Sequence, residues 1–254
     1  MYLKRIIFGA TVGAALWGET LLATPDLRFE MVWFCCSCST GNHFCQNEFD
    51  LLNIPTPNGH FLAMPTDSQR AAIYGNGNVL AAYYDSLMDG WTAMAGAQKA
   101  SVIDSYVTAN MTSNGPRPDW LVVNEISAGN WPGNASYRAW LREVVDTLTT
   151  VYGYTVMLYS PFPNPGANDT DWQAIASEAY IAIEDYLSGA SIAANGFSVS
   201  WCQSQYQSSI NSYGVRGVAK SRLMLGEHFG QTTAGTTWGR SGVSSNDWIN
   251  AINA

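Results

Sequence analysis

Positive charge is scarce in this sequence: 12 Lys and Arg stand against 20 Asp and Glu, for a net charge of −8 with only three His. A chain so poor in basic residues lacks the cationic surface that holds a phosphate backbone or an anionic bilayer, so nucleic-acid partners are excluded. Coiled-coil heptads, low-complexity tracts and internal repeats are missing too, which removes fibrous, disordered and solenoid classes. There is no Gly-x-Ser-x-Gly elbow, and three His leave few bases for a serine triad. Neither a Walker loop, nor a Gly-x-Gly-x-x-Gly after a strand, nor His-Glu-x-x-His is present, so no nucleotide, metal or other cofactor is expected.

What is present is apolar and aromatic. Hydrophobic residues make up 47% of the chain and charged residues only 13%, which leaves ample material for one large α/β domain. Ten Trp and 13 Tyr exceed what such a core requires. Aromatic faces stack on sugar rings, but they also fill helix–sheet interfaces.

The N-terminus carries a targeting pattern. Lys4-Arg5 precede an uncharged run over residues 6–18, matching the charged and apolar regions of a secretory signal, with cleavage after Ala23. The run is short for a bilayer span. Residues 1–23 are therefore read as a signal peptide or an N-terminal anchor, and residues 24–254 as a single domain. The expected location is secreted or cell-envelope, with membrane contact only through an uncleaved N-terminal segment. Four of the five Cys crowd together as Cys35, Cys36, Cys38 and Cys45, beside His43, while Cys202 stands alone. In an oxidising compartment one or two disulfides in this segment are the natural reading; these or unpaired thiols are favoured over a zinc site.

Short apolar runs alternate with helical patterns, as in parallel βαβ units. Strands are expected at residues 29–36 (FEMVWFCC) and 60–65 (HFLAMP). Two helix-like stretches separated near Gly90 span residues 68–111, with a short strand at 79–84. The second half is cleaner. Residues 120–126 (WLVVNEI) form a continuous apolar run, expected of a strand buried on both faces. An amphipathic helix follows over 136–152, then a strand at 154–160, a helix at 171–179, a strand at 180–187 (YIAIEDYL), a helix over 195–213 and a strand at 222–229 (RLMLGEHF). The expected fold is an α/β (β/α)8 TIM-type barrel. Seven strands are countable, so the chain is read as lacking the last strand and helix.

Barrels of this type keep their chemistry at the C-terminal strand ends. Three strand ends here carry reactive side chains: Asn124-Glu125, Glu184-Asp185 and Glu227-His228. A carboxylate closing an apolar strand is costly to bury unless it is paired or used. Glycosidic bond cleavage needs two such carboxyl groups flanking the bond, one to protonate the leaving oxygen and one to attack carbon or activate water. Glu125 and Glu227 fall on strands three positions apart, facing each other across a barrel mouth. The structural alternative for each is a partner to an Arg or a backbone amide.

An Asn-Glu at one strand end with a Glu three strands later resembles clan A of the retaining glycoside hydrolases, over roughly residues 120–230. The resemblance implies that Glu125 in WLVVNEIS is the acid/base, Glu227 in LMLGEHFG the nucleophile, and that Asn124 hydrogen-bonds the sugar 2-hydroxyl. Glu184, Trp131, Tyr159 and His228 are further candidate sugar contacts. Glu184 is also an alternative member of the catalytic pair, and His228 has packing as its alternative. Trp201 is read as core. The expected activity is retaining hydrolysis of a poly- or oligosaccharide. The competing readings are a catalytically silent carbohydrate-binding or cell-surface barrel, and an inverting hydrolase or lyase using the same carboxylates.

Overall fold

The structure is a computed structural model that describes residues 31–34, 60–63, 79–111, 117–185, 187, 189–196 and 198–226. Seven strands form one sheet: β1 (Met31–Phe34), β2 (His60–Ala63), β3 (Val79–Tyr84), β4 (Trp120–Val123), β5 (Thr155–Ser160), β6 (Tyr180–Glu184) and β7 (Leu223–Gly226). Five helices are described: α1 (Gly96–Met111), α2 (Ala135–Asp146), α3 (Asp169–Glu178), α4 (Gly189–Ala194) and α5 (Val199–Val215). The strands lie in chain order, and every neighbouring pair is parallel. The chain is thus an α/β protein built on a parallel sheet, as its alternating pattern predicts.

Right-handed crossovers between strands added in one direction place every helix on the same face of the sheet. The packing of α1, α2, α3 and α5 follows that rule. Leu80 and Ala82 of β3, Leu121 and Val123 of β4, Val156 and Leu158 of β5, and Ile181 and Ile183 of β6 pack with the helices in one large core. The alternate residues, Ala81, Trp120, Val122, Met157, Tyr159 and Ala182, form a second cluster on the opposite face, made among the described residues from strands alone. Burial on both faces explains why these strands read as unbroken apolar runs.

Local chemistry fixes the helix starts. Asn134 caps α2, its side chain accepting the Tyr137 N–H, and Tyr137, Trp140, Leu141, Val144 and Val145 form the buried stripe. Each such aliphatic side chain contributes about 1.5–3 kcal/mol on burial. Ser198 caps α5 in the same way through the Trp201 N–H, and Asp169 and Asp171 occupy the positive first turn of α3. Where α1 meets α2 the chains come close enough that a side chain on Gly96 would meet the Trp140 carbonyl oxygen at 2.6 Å. The Gly96 N–H instead donates to Glu143 Oε2 at 2.9 Å.

Several boundaries differ from the sequence reading. Residues 87–94 form turns, so the region before Met111 holds one described helix, α1, after β3. The α2 helix ends at Asp146 and continues as a π-helical turn over Thr147–Val151. There Thr149 and Thr150 bond back to the Asp146 carbonyl, the competition that makes threonine a poor helix interior residue. The single helix expected at 195–213 is α5 preceded by the separate short α4. The targeting segment, the Cys35–Cys45 cluster, His43, Glu227 and His228 lie outside the described residues. Among the described residues there is no disulfide, Cys202 being a buried thiol on α5, and no helix is long and apolar enough to cross a membrane.

Candidate active site

The reactive side chains gather at the C-terminal edge of the sheet, and the strand register explains how. Tyr84 of β3 pairs with Val123 of β4, so Asp85 and Asn124 are the next cross-strand neighbours. Asp85 Oδ1 accepts from Asn124 Nδ2 at 2.9 Å and from the Tyr83 hydroxyl at 3.2 Å. The Asn124 N–H donates to the Tyr84 carbonyl and the Ile126 N–H to the Tyr159 carbonyl, each at 2.9 Å, so the Asn124–Ile126 segment is held from both flanking strands. The Asn124–Glu125 peptide is cis.

Glu125 is open to solvent on one side. Burial on its protein side, and then the neighbouring negative charge of Asp85, push its carboxyl above the ordinary glutamate range. A carboxyl whose proton affinity is raised is what a general acid requires. Beside it, the Tyr137 phenol is raised to about 12, chiefly by burial, and accepts the Ser127 N–H at 3.0 Å.

The loop after β4 is fastened rather than loose. Asn130 Nδ2 donates to Ser127 Oγ at 2.9 Å, and Arg138 Nη1 reaches the Trp131 carbonyl at 2.8 Å. Arg138 Nε also meets Asp171 Oδ2 at 2.6 Å, tying α2 and this loop to α3. The loop before α1 is held by Lys99, a residue only 1% exposed. It donates to the Tyr84 hydroxyl at 3.1 Å, the Ser86 carbonyl at 2.6 Å and the Asp89 carbonyl at 2.9 Å. Burial lowers the Lys99 pKa, while the three acceptors satisfy all its donors.

Farther along the edge, Ser160 at the end of β5 shares a 2.6 Å hydrogen bond with the Tyr213 hydroxyl of α5. Glu184 ends β6, half-buried and level with Gly226 of β7. Asp185 is nearly buried and accepts the Ser209 hydroxyl at 2.6 Å. Glu227 follows Gly226 directly in the chain.

Of the expected site residues, Asn124 and Glu125 lie together at one strand end, and Glu184 lies on the same edge of the sheet. Two are corrected. Trp131 is 0% exposed, its ring packed on Trp172 at 4.1 Å between centroids, so it has no free face for a sugar. Tyr159 is 3% exposed and belongs to the strand-only cluster, which leaves its ring equally unable to serve as a platform. Trp201, read as core, is half-buried on α5. The sequence reading passed over Asp85, although its signal was visible: an acidic residue closing the apolar run VLAAYY. Among the described residues no group of His, Cys, Asp and Glu is arranged to hold a metal ion. The chain matches no protein-family model and no curated protein.

Proposed function

We propose that the protein is a retaining glycoside hydrolase acting on a poly- or oligosaccharide, with the C-terminal edge of a (β/α)8-type barrel as its active site. The observation that carries this reading is the carboxyl of Glu125, partly desolvated and lifted above the normal glutamate range at the end of β4, beside an Asn whose amide is already oriented. Seven parallel strands in chain order, with helices on one face and a strand-only cluster on the other, support the barrel. A sheet whose second face carries no helix among the described residues can bury that face by curling on itself.

In this mechanism Glu125 gives its proton to the glycosidic oxygen as the bond breaks, and Glu227 attacks the anomeric carbon to form a glycosyl ester. Glu125, now ionised, takes a proton from water, which attacks the same carbon and releases Glu227. Asn124 bonds the 2-hydroxyl, a contact that strengthens as charge develops at the ring. The pairing of Asn124-Glu125 with Glu227 three strands later supports double displacement through its resemblance to clan A.

The test is reducing-end release from a panel of plant, algal and microbial polysaccharides and aryl glycosides. Glu125→Gln is expected to lower turnover of unactivated substrates by about 10²–10⁴-fold, the usual worth of a positioned general acid, and to spare substrates with good leaving groups. Glu227→Ala should be rescued by azide with formation of the inverted glycosyl azide. Wild-type turnover in both Glu125→Gln and Glu227→Gln overturns the proposal. Saturable glycan binding with no reducing-end release from any substrate assigns the chain to carbohydrate binding.

A further inference from the structure

Asp85 lies on a different strand from the Asn-Glu pair, and neither the apolar pattern of β3 nor the resemblance to a known clan gives it a role. Its surroundings do. The chain on both sides of it is tied to one buried lysine, since Lys99 holds the Tyr84 side-chain hydroxyl before it and the Ser86 and Asp89 backbone carbonyls after it. From that fixed point Oδ1 takes the Asn124 amide at 2.9 Å, while the Tyr83 hydroxyl donates to the same oxygen at 3.2 Å. An amide whose nitrogen is committed to a carboxylate has its carbonyl oxygen turned the other way, and it cannot flip without losing a charge-assisted hydrogen bond.

We propose that Asp85 is the positioning residue of this site: it fixes the rotamer and the amide orientation of Asn124, and through Asn124 the setting of Glu125. The inference deepens the glycosidase reading above and rests on it for its catalytic consequence. Its structural content, a three-residue coupling across β3 and β4, stands by itself. The titratable groups coupled to Glu125 in the described residues are Asp85 from the β3 edge and Tyr137 from α2. Tyr137 stays neutral over the working range, which leaves Asp85, among the described residues, as the charge that Glu125 senses.

The experiment uses the full chain, with two variants and two readouts. Asp85→Asn removes the charge and keeps an acceptor for Asn124; Asp85→Ala removes both. In the first readout, carbon NMR of labelled glutamate follows the Glu125 carboxyl, assigned by its loss in Glu125→Gln, and nitrogen NMR follows the Asn124 side-chain amide. Both variants are expected to move the Glu125 midpoint down in pH, and only Asp85→Ala to shift the Asn124 amide and speed its exchange.

In the second readout, Asp85→Ala lowers kcat/KM by about tenfold to hundredfold, the worth of a hydrogen bond to a charged group. Adding Asn124→Ala lowers it little further, because both changes break one unit. The basic limb of the kcat profile moves to lower pH in Asp85→Asn, while a merely structural role moves neither limb. Unchanged Asn124 and Glu125 resonances in Asp85→Ala overturn the proposal whatever the activity. Coupled resonances in a protein that cleaves no glycan uphold the positioning role and overturn the glycosidase reading instead.

Discussion

Replacing Trp131 distinguishes a core aromatic from a sugar platform, and the structure sets the size of the effect. The indole is fully buried, 4.1 Å from the Trp172 ring, which in turn meets Phe162 and Tyr213 edge-on. Trp131→Ala therefore empties a packed site and is expected to cost about 3–5 kcal/mol. For a domain of this size that corresponds to a fall in Tm of roughly 6–20 °C, at about 2–4 °C per kcal/mol. Trp131 Nε1 is buried without a hydrogen-bond partner, a burden of about 1–3 kcal/mol that Trp131→Phe removes while keeping a ring against Trp172. The Phe variant should thus lose far less than the Ala variant, and glycan KM should be unchanged in whatever fraction remains folded. Urea titration of both variants, with KM measured well below the transition, is the assay. A Trp131→Ala protein with native stability and weakened glycan affinity would refute the reasoning and restore Trp131 as a stacking surface.

Two further outcomes follow from buried or desolvated charge. Lys99→Met strips a donor from two carbonyls and a tyrosine hydroxyl while relieving the ammonium of its desolvation, for an expected net loss of about 1–3 kcal/mol. Because burial lowers the Lys99 pKa, the folded state binds that proton less tightly than the unfolded chain. The wild-type advantage over Lys99→Met should therefore widen as pH rises from the lowered value toward about 10.4, and a constant gap in urea melts would contradict it. Glu125 has the opposite sign. Its pKa is raised in the fold, so its favourable contribution is complete below the unfolded value of about 4.3 and is lost as pH rises through the folded one. Glu125→Gln is expected to match the wild type in Tm at pH 4 and to exceed it at pH 7; a variant less stable than wild type at pH 7 rules this out.

Much of the second half of the fold was legible because strands buried on both faces must be apolar without interruption. The runs beginning at Trp120, Tyr154 and Tyr180 fall within a residue of β4, β5 and β6 at their starts. Their ends were overread in β4 and β6, since Asn124 and Asp185 continue the segment after ladder pairing has stopped. Glu125 was legible for a related reason: a carboxylate where an apolar run ends stands out against its neighbours. Trp131 was misread because its burial depends on Trp172, brought to it from the next strand–helix unit, and no local pattern records that contact. Asp85 escaped notice because its role arises from the β3–β4 register, which brings together residues nearly forty positions apart.

The strictly sequential strand order also has a kinetic consequence. Each described sheet contact joins strands that are neighbours in the chain, so none of the described pairings waits on the union of distant chain ends. Assembly can begin at the densely packed β4–α2–β5 unit and spread outward by one docking event at a time. The docking of β3 on β4 is the event that brings Asp85 to Asn124. A folding intermediate with β4–α2–β5 formed and β3 undocked would lack the Asp85 charge beside Glu125, so that part of the raised proton affinity of Glu125 is added only when this step is complete.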